Sequence, residues 1–185
     1  IHDQIHSVQL EEEEILCRKA VVTSGIWSKN LIKNLKINVP LETERGYHVI
    51  YEKPSVQPRN PMMITEGKFG VTPMSTGLRC AGTVELGGLS ASASKKPIDF
   101  IKKISLKTFP DLKFEKTSEW MGFRPTLPDS LPMIGEIQNT GIFTGFGHQH
   151  IGMTSGPKTG FILSQLVTDK KPNLDISGYS PERFN

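Results

Sequence analysis

Two histidines and three glycines stand close together in residues 145–157, GFGHQHIGMTSGP. His148 and His150 are of a residue type that binds metals, but no cysteine, histidine or carboxylate cluster accompanies them at useful spacing. The sequence predicts a short apolar strand before them and a helix from about Gly152. A helix N-terminus presents unpaired N–H groups, and glycines let a ligand approach the backbone. The segment therefore favours a ligand-facing turn over a purely structural turn or a metal site.

Arg124 is a candidate for binding an acid. It precedes Pro125 in EWMGFRPTLPDSLPMIG, residues 119–135, and proline restrains the residue before it to extended geometry. An arginine held in a strand can bind a carboxylate through two parallel hydrogen bonds. The residues alone equally allow an ordinary salt bridge, for instance with Asp129.

A second glycine-containing corner is predicted in residues 20–28, AVVTSGIWS. The β-branched run reads as a buried strand that ends at Thr-Ser-Gly. Gly25 would then lie at the carboxyl end of a strand, where ligands often bind in open α/β sheets. Trp27 is interpreted as a packing residue.

Composition places the chain among globular proteins. Its 185 residues carry a formal net charge of +3, and no basic run is interleaved with aromatic residues, so no nucleic-acid partner is indicated. Two cysteines do not make a disulfide framework, which favours a cytoplasmic or inner-membrane-facing location. No stretch reaches the ~20 apolar residues of a membrane helix. Because the chain does not begin with methionine, we expect that its natural N-terminus is missing.

The elements that would position these residues are mostly strands. Extended structure is predicted for residues 1–24, 41–52, 113–125 and 141–147, with three short strands within residues 61–88. Helices are predicted for residues 28–35, with Ser28 as N-cap, for residues 97–110, and from residue 152 onward. This mixture indicates an α+β fold or part of a two-domain α/β protein.

Several blocks occur in a familiar order: AVVTSGIWS, ERGYHV, AGTVELGG, WMGFRPTLPDSLPMIG, GIFTGFGHQHIGMTSGPKTGFILSQLV and YSPERF. Together they resemble the C-terminal half of the FAD-dependent D-amino acid oxidase-like superfamily. D-Amino acid dehydrogenases are most similar, with hydroxyproline dehydrogenases and glycine or sarcosine oxidases nearby. The family opens with a GxGxxG fingerprint that holds the FAD diphosphate, and no such motif occurs here. The resemblance therefore implies a fragment that is inactive alone, or one part of a split protein.

The resemblance also implies a domain organisation. Residues 1–40 and 136–185 would be pieces of an FAD-binding α/β domain, including its C-terminal strand and helix. Residues 41–135 would form the substrate domain, a mixed and largely antiparallel sheet with flanking helices.

The resemblance assigns roles to the candidate residues. The turn before the last helix would run beside the flavin ring, so the implied cofactor-binding residues are Gly25, Gly147, His148, Gln149, His150, Ile151, Gly152, Met153 and Thr154. Arg124 would hold the substrate carboxylate as the catalytic residue. The substrate pocket would also include His150, Tyr47 and His48, with Met74 and Glu85 as further candidates, although each of the last four could instead be a packing or surface residue.

The implied reaction is oxidation of a D-amino acid, or a related amine such as glycine, sarcosine or hydroxyproline, by hydride transfer to FAD. Water would then hydrolyse the imino acid to a keto acid. The implied partners are a missing N-terminal FAD-binding segment or partner chain and a membrane-associated electron acceptor, which would place the protein in the cytoplasm or peripherally on the inner membrane. A non-catalytic subunit without its own FAD site and a binding domain without redox chemistry are the alternatives.

Overall fold

The computed structural model describes residues 4–185, which fall into two compact units. Unit 1 comprises Ile1–Thr43 and Arg124–Asn185, and unit 2 comprises Glu44–Phe123. The strands and α-helices of the described residues are β1 (Ser7–Gln9), β2 (Glu14–Leu16), β3 (Ala20–Val22), α1 (Ser28–Leu31), β4 (Glu42–Glu52), β5 (Met62–Ile64), β6 (Phe69–Met74), β7 (Gly77–Leu86), α2 (Lys95–Thr108), β8 (Lys116–Thr126), β9 (Met133–Glu136), β10 (Ile142–Phe146) and α3 (Gly152–Val167).

Unit 1 is built on a three-stranded sheet in the order β3-β10-β9. β10 runs parallel to β3 and antiparallel to β9, and β1 and β2 form a separate antiparallel pair. Helix α3 packs on this sheet because its apolar stripe, which includes Ile162 and Leu163, is buried against Ile134 and Phe143. The packing fixes where α3 begins relative to the end of β10.

Unit 2 contains a five-stranded sheet in the order β5-β6-β7-β4-β8. β4 runs antiparallel to β7, and β5, β6 and β7 form an antiparallel meander. Successive side chains of a strand point to opposite faces, so Tyr47, Val49 and Tyr51 are buried while His48 and Ile50 are only partly covered. The buried face is covered by the isoleucine stripe of α2, Ile98, Ile101 and Ile104.

The α+β fold class predicted from the sequence is confirmed, and strands lie within each predicted strand segment of the described residues. Helix α1 corrects one prediction: it ends at Leu31, and Ser28 lies inside it instead of capping it. The chain leaves helical geometry at Ile32, whose φ is −108°, and Lys36 then has a φ of +36°. The first three residues of the predicted extended segment lie outside the described residues. The assignment of residues 1–40, 41–135 and 136–185 to cofactor and substrate domains stays a prediction.

Candidate functional site

The carboxyl ends of β3 and β10 lie side by side at one edge of the unit 1 sheet. Their parallel register pairs Val22, the last residue of β3, with Thr144, and β10 continues to Phe146. Each is followed by a glycine with positive φ, +57° at Gly25 and +88° at Gly147, and then by helical structure. In open α/β sheets, ligands bind beside the carboxyl ends of neighbouring parallel strands, which form this edge. The structure therefore brings the two predicted cofactor segments together.

Gly147 is required in the bend after β10 for two reasons. Its φ of +88° lies in a region that residues with a Cβ rarely adopt, and a Cβ placed there would lie 2.6 Å from Cδ1 of Leu127. Gln149 follows with a φ of +49°, and its Nε2 donates a long hydrogen bond of 3.5 Å to the Leu127 carbonyl. The bend is thus held against Leu127 by packing and by one polar contact.

The first turn of α3 points unpaired backbone donors away from the helix. No side chain caps this end, and its first turn contains no acidic residue, so its N–H groups and partial positive charge are available to a ligand. The side chains of Ile151 and Met153 are 56% and 97% exposed beside them. Backbone donors next to exposed apolar side chains suit a planar ligand that has carbonyl groups on an otherwise apolar ring.

The two histidines of the bend have different surroundings. Nε2 of His148 lies 2.9 Å from the Thr159 hydroxyl on α3, and burial lowers the pKa of this imidazole, which favours the neutral form. His150 is exposed. Within residues 4–185, no group of three or more histidines, cysteines and carboxylates is placed to hold a metal ion. His148 therefore fastens the bend to α3.

Arg124 is half-buried near the end of β8. Asp129, which the sequence offered as its partner, is engaged by Arg183: Nε and Nη2 donate to its two carboxylate oxygens at 2.7 and 3.2 Å. Leu127, which packs against Gly147, follows Arg124 by three residues, a stretch that spans at most about 11 Å of extended chain. The arginine backbone therefore lies within that distance of a residue that supports the bend.

The predicted substrate residues of unit 2 do not share one face of the sheet. Tyr47 points toward α2, and its hydroxyl donates to the Glu85 carboxylate and accepts from the Ser94 N–H at 3.1 Å. The Ser94 hydroxyl and Tyr47 lower the pKa of Glu85. His48 points to the opposite face and stacks on Trp120. Only His48 of this pair lines the open face, and Met74 is exposed at the end of β6.

Two arginines of unit 2 were missed by the sequence interpretation. Arg45 is 1% exposed, and its guanidinium donates to the carbonyls of the loop after β7, those of Gly87, Gly88, Ala91 and Ser92. Arg79 lies on the open face beside His48. The signal for Arg45 was its position two residues before Tyr47 on a strand with alternating burial, next to a loop rich in glycine and serine. Arg79 had no local signal.

Comparisons with known proteins agree on one family. The sequence model of FAD dependent oxidoreductases, DAO, matches residues 1–166. The chain is 37% identical to a D-amino-acid oxidase of Bradyrhizobium diazoefficiens over 98% of its length, and 30% identical to a D-amino acid dehydrogenase of Vibrio vulnificus over 96%. It spans 44% of the length of each of these relatives. The structure of glycine oxidase from Geobacillus kaustophilus has the same fold: the TM-score is 0.82 at 21% identity, covering 94% of this chain and 47% of that one.

Proposed function

We propose that this chain, which belongs to the FAD dependent oxidoreductase family, contributes the flavin-facing bend and the substrate carboxylate anchor of an amino acid oxidoreductase. The predicted resemblance and its cofactor, FAD, are confirmed at the level of the family. Activity, substrate and partners remain proposals, because the chain spans less than half of the relatives it matches. The observation that carries the proposal is the pair of glycine bends at the carboxyl edge of β3 and β10.

The residues at this edge fit a flavin. A Cβ at Gly25 would meet no atom within 4 Å, so the backbone there borders open space. The α3 N-terminus offers N–H donors without a side-chain cap. Bound FAD supplies the hydride acceptor that amino acid oxidation requires. The proposed flavin-binding residues are Gly25, Gly147, His148, Gln149, His150, Ile151, Gly152, Met153 and Thr154.

The chain's own part in the reaction is binding and orientation. The backbone donors and the positive end of α3 stabilise negative charge on an electron-rich ring edge, while Ile151 and Met153 exclude water from it. Arg124 grips the substrate carboxylate and thereby fixes the position of the α-carbon. His150, His48 and Tyr47 stay predicted substrate contacts, with the Tyr47 hydroxyl already engaged by Glu85.

The role of Arg124 is tested by steady-state kinetics of the flavoenzyme that contains this chain. Arg124→Ala should raise KM for its D-amino acid substrate by roughly 10- to 150-fold, because a hydrogen bond to a charged group is worth about 1.5–3 kcal/mol. Arg124→Lys keeps the positive charge but lacks the planar guanidinium, so its KM should lie between those of the parent enzyme and Arg124→Ala. An unchanged KM in Arg124→Ala would remove this residue from the role.

A second candidate is a non-catalytic subunit that completes a flavin site on another chain. The observation that favours it is β3, which is the edge strand of its sheet within the described residues. An edge strand presents backbone N–H and C=O groups on one side, with which a strand of another chain can pair. Absorbance separates the two candidates: a yellow purified chain supports the flavoenzyme part, and a colourless chain that gains flavin only with a partner segment supports the subunit. A membrane-associated electron acceptor also stays a proposal, and no helix of residues 4–185 combines the length and apolarity of a membrane span.

A further inference from the structure

Three segments of unit 1 enclose a surface cavity of about 370 Å³, a volume within the usual range of small-molecule sites. One wall is the face of α3 that carries Ser155, Thr159 and Ile162 at helical spacing. A second wall is formed by residues 130–134, at the start of β9, and a third by residues 174–179, in the tail that follows α3. Most of the lining side chains are apolar, so the cavity suits a ligand with an apolar body.

One arginine fastens the second and third walls to each other. Nη2 of Arg183 donates to the Leu131 carbonyl at 2.7 Å, and Nη1 donates to the Tyr179 carbonyl at 3.3 Å. The same guanidinium donates to both carboxylate oxygens of Asp129. Because these contacts hold the walls in place before any ligand arrives, binding does not have to order them.

Two side chains of opposite charge line this cavity, Lys158 on α3 and Asp175 in the tail. Both are exposed, and neither belongs to an ion pair with another residue in the range 4–185. The Ser177 N–H donates to Oδ1 of Asp175 at 2.9 Å, and this hydrogen bond lowers the pKa of the carboxyl, which is therefore ionised at neutral pH. An ammonium and a carboxylate beside an apolar cavity can each bind a ligand group of the opposite charge.

We propose that this cavity binds an α-amino acid with a large apolar side chain. The side chain enters the apolar lining, the ligand's carboxylate lies at Lys158, and its ammonium lies at Asp175. One charge of each sign favours a zwitterion over a simple acid or amine, and the flexible stem of Lys158 lets its ammonium follow the carboxylate. An apolar cavity of about 150 Å³ holds benzene, so this cavity has room for a phenyl ring and the α-carbon with its two charged groups.

The proposed site differs from the proposed substrate site, because Arg124 does not line the cavity. Of the lining residues, Ile151 alone also belongs to the proposed flavin site. Binding of the amino acid therefore does not depend on FAD or on the substrate anchor.

Calorimetric titration of the chain at pH 7 tests the site with three ligands that share a phenyl group and differ in charge. L-Phenylalanine carries both charges, 3-phenylpropionate only the carboxylate, and phenethylamine only the ammonium. We expect saturable binding of phenylalanine, with a Kd about two- to fivefold lower than that of either singly charged ligand, which is the effect of one exposed ion pair. The absence of saturable binding of phenylalanine, or equal Kd values for the three ligands, overturns the proposal.

Two conservative variants test the charges one at a time. Lys158→Met keeps an apolar stem and should raise the Kd of phenylalanine and phenylpropionate about two- to fivefold, while that of phenethylamine stays unchanged. Asp175→Asn keeps an acceptor for the Ser177 N–H and should instead raise the Kd of phenylalanine and phenethylamine. Lys170→Met, which removes an exposed lysine outside the lining, should change none of the three. Equal effects of Lys158→Met and Lys170→Met would contradict the proposal.

Ser155→Leu tests the cavity independently of the charges. The leucine side chain fills the space in front of α3 and should abolish binding of all three ligands, with circular dichroism and the urea midpoint as checks that the variant is folded. Phenylalanine binding that persists in a folded Ser155→Leu variant overturns the proposal. The flavin proposal holds or fails separately, on the kinetics of Arg124→Ala and on the affinity for FAD.

Discussion

Replacing Gly147 with alanine tests whether the bend before α3 has the geometry that the structure shows. The substitution destabilises the bend in two ways, through backbone strain and through a steric clash. Alanine at a φ of +88° is strained by about 1–2 kcal/mol, and its Cβ would displace Leu127, which is 1% exposed, at a further cost of about 1–3 kcal/mol. We expect the free energy of unfolding of unit 1 to fall by about 2–5 kcal/mol.

Two other glycines separate these costs. Gly25 also has a positive φ, but no atom lies within 4 Å of its Cβ position, so Gly25→Ala should cost only the strain, about 1–2 kcal/mol. Gly160 lies inside α3 with open space around it, and Gly160→Ala should stabilise the chain by about 0.5–1 kcal/mol because alanine is the better helix former.

The series is measured by urea unfolding in a Trp120→Phe background. Trp27, the remaining emitter, belongs to unit 1 and reports on its unfolding. Midpoints are compared at equal m-values, since a changed m would indicate a changed unfolding transition. The reasoning would be refuted if Gly147→Ala cost no more than Gly25→Ala, or if Gly160→Ala were as destabilising as either.

Two further predictions concern buried polar groups. Arg45→Met should lower the free energy of unfolding of unit 2 by about 3–5 kcal/mol, because it leaves the carbonyls of the loop after β7 without their donor. Arg45→Lys should recover only part of this loss, and both variants are measured by the fluorescence of Trp120 in the Trp27→Phe background. Equal stability of Arg45→Met and the parent would contradict the prediction. Burial lowers the pKa of His148, so its contribution to stability is complete above the ordinary value of 6.5 and is lost as the pH falls through the lowered value. The stability of the parent relative to His148→Gln should therefore decrease from pH 7 to pH 5, by at most about 1.4 kcal/mol per pH unit. A difference that stays constant with pH would show that the protonation of His148 is not coupled to folding.

Local pattern predicted the parts of the fold that depend on neighbours in sequence. Residues 41–52 were predicted as the strand that is β4, and the apolar spacing of residues 97–110 identified α2 within two residues at each end. The glycines of residues 145–152 indicated the bend, because positive φ and close packing both select glycine.

Contacts between residues that are distant in sequence could not be predicted, because they depend on how the strands pair. Arg79, His48 and Trp120 come from three strands, and only the register of the sheet brings them together. A buried Arg45 runs against the usual exposure of charged residues, so its carbonyl partners had to be seen in the structure. Helix α1 was predicted too long because its apolar spacing continues past the point where the backbone turns at Ile32.

Met153→Asp probes whether the first turn of α3 faces the flavin. Met153 is 97% exposed in that turn, so aspartate should stabilise the helix by about 0.3–1 kcal/mol through the dipole while repelling an electron-rich ring edge. The measurement is the Kd for FAD of the flavoprotein that contains this chain, by flavin absorbance, with Met153→Gln as the neutral control. We expect Met153→Asp to raise the Kd for FAD at least about fivefold without loss of folding stability. A Kd equal to that of Met153→Gln would contradict it.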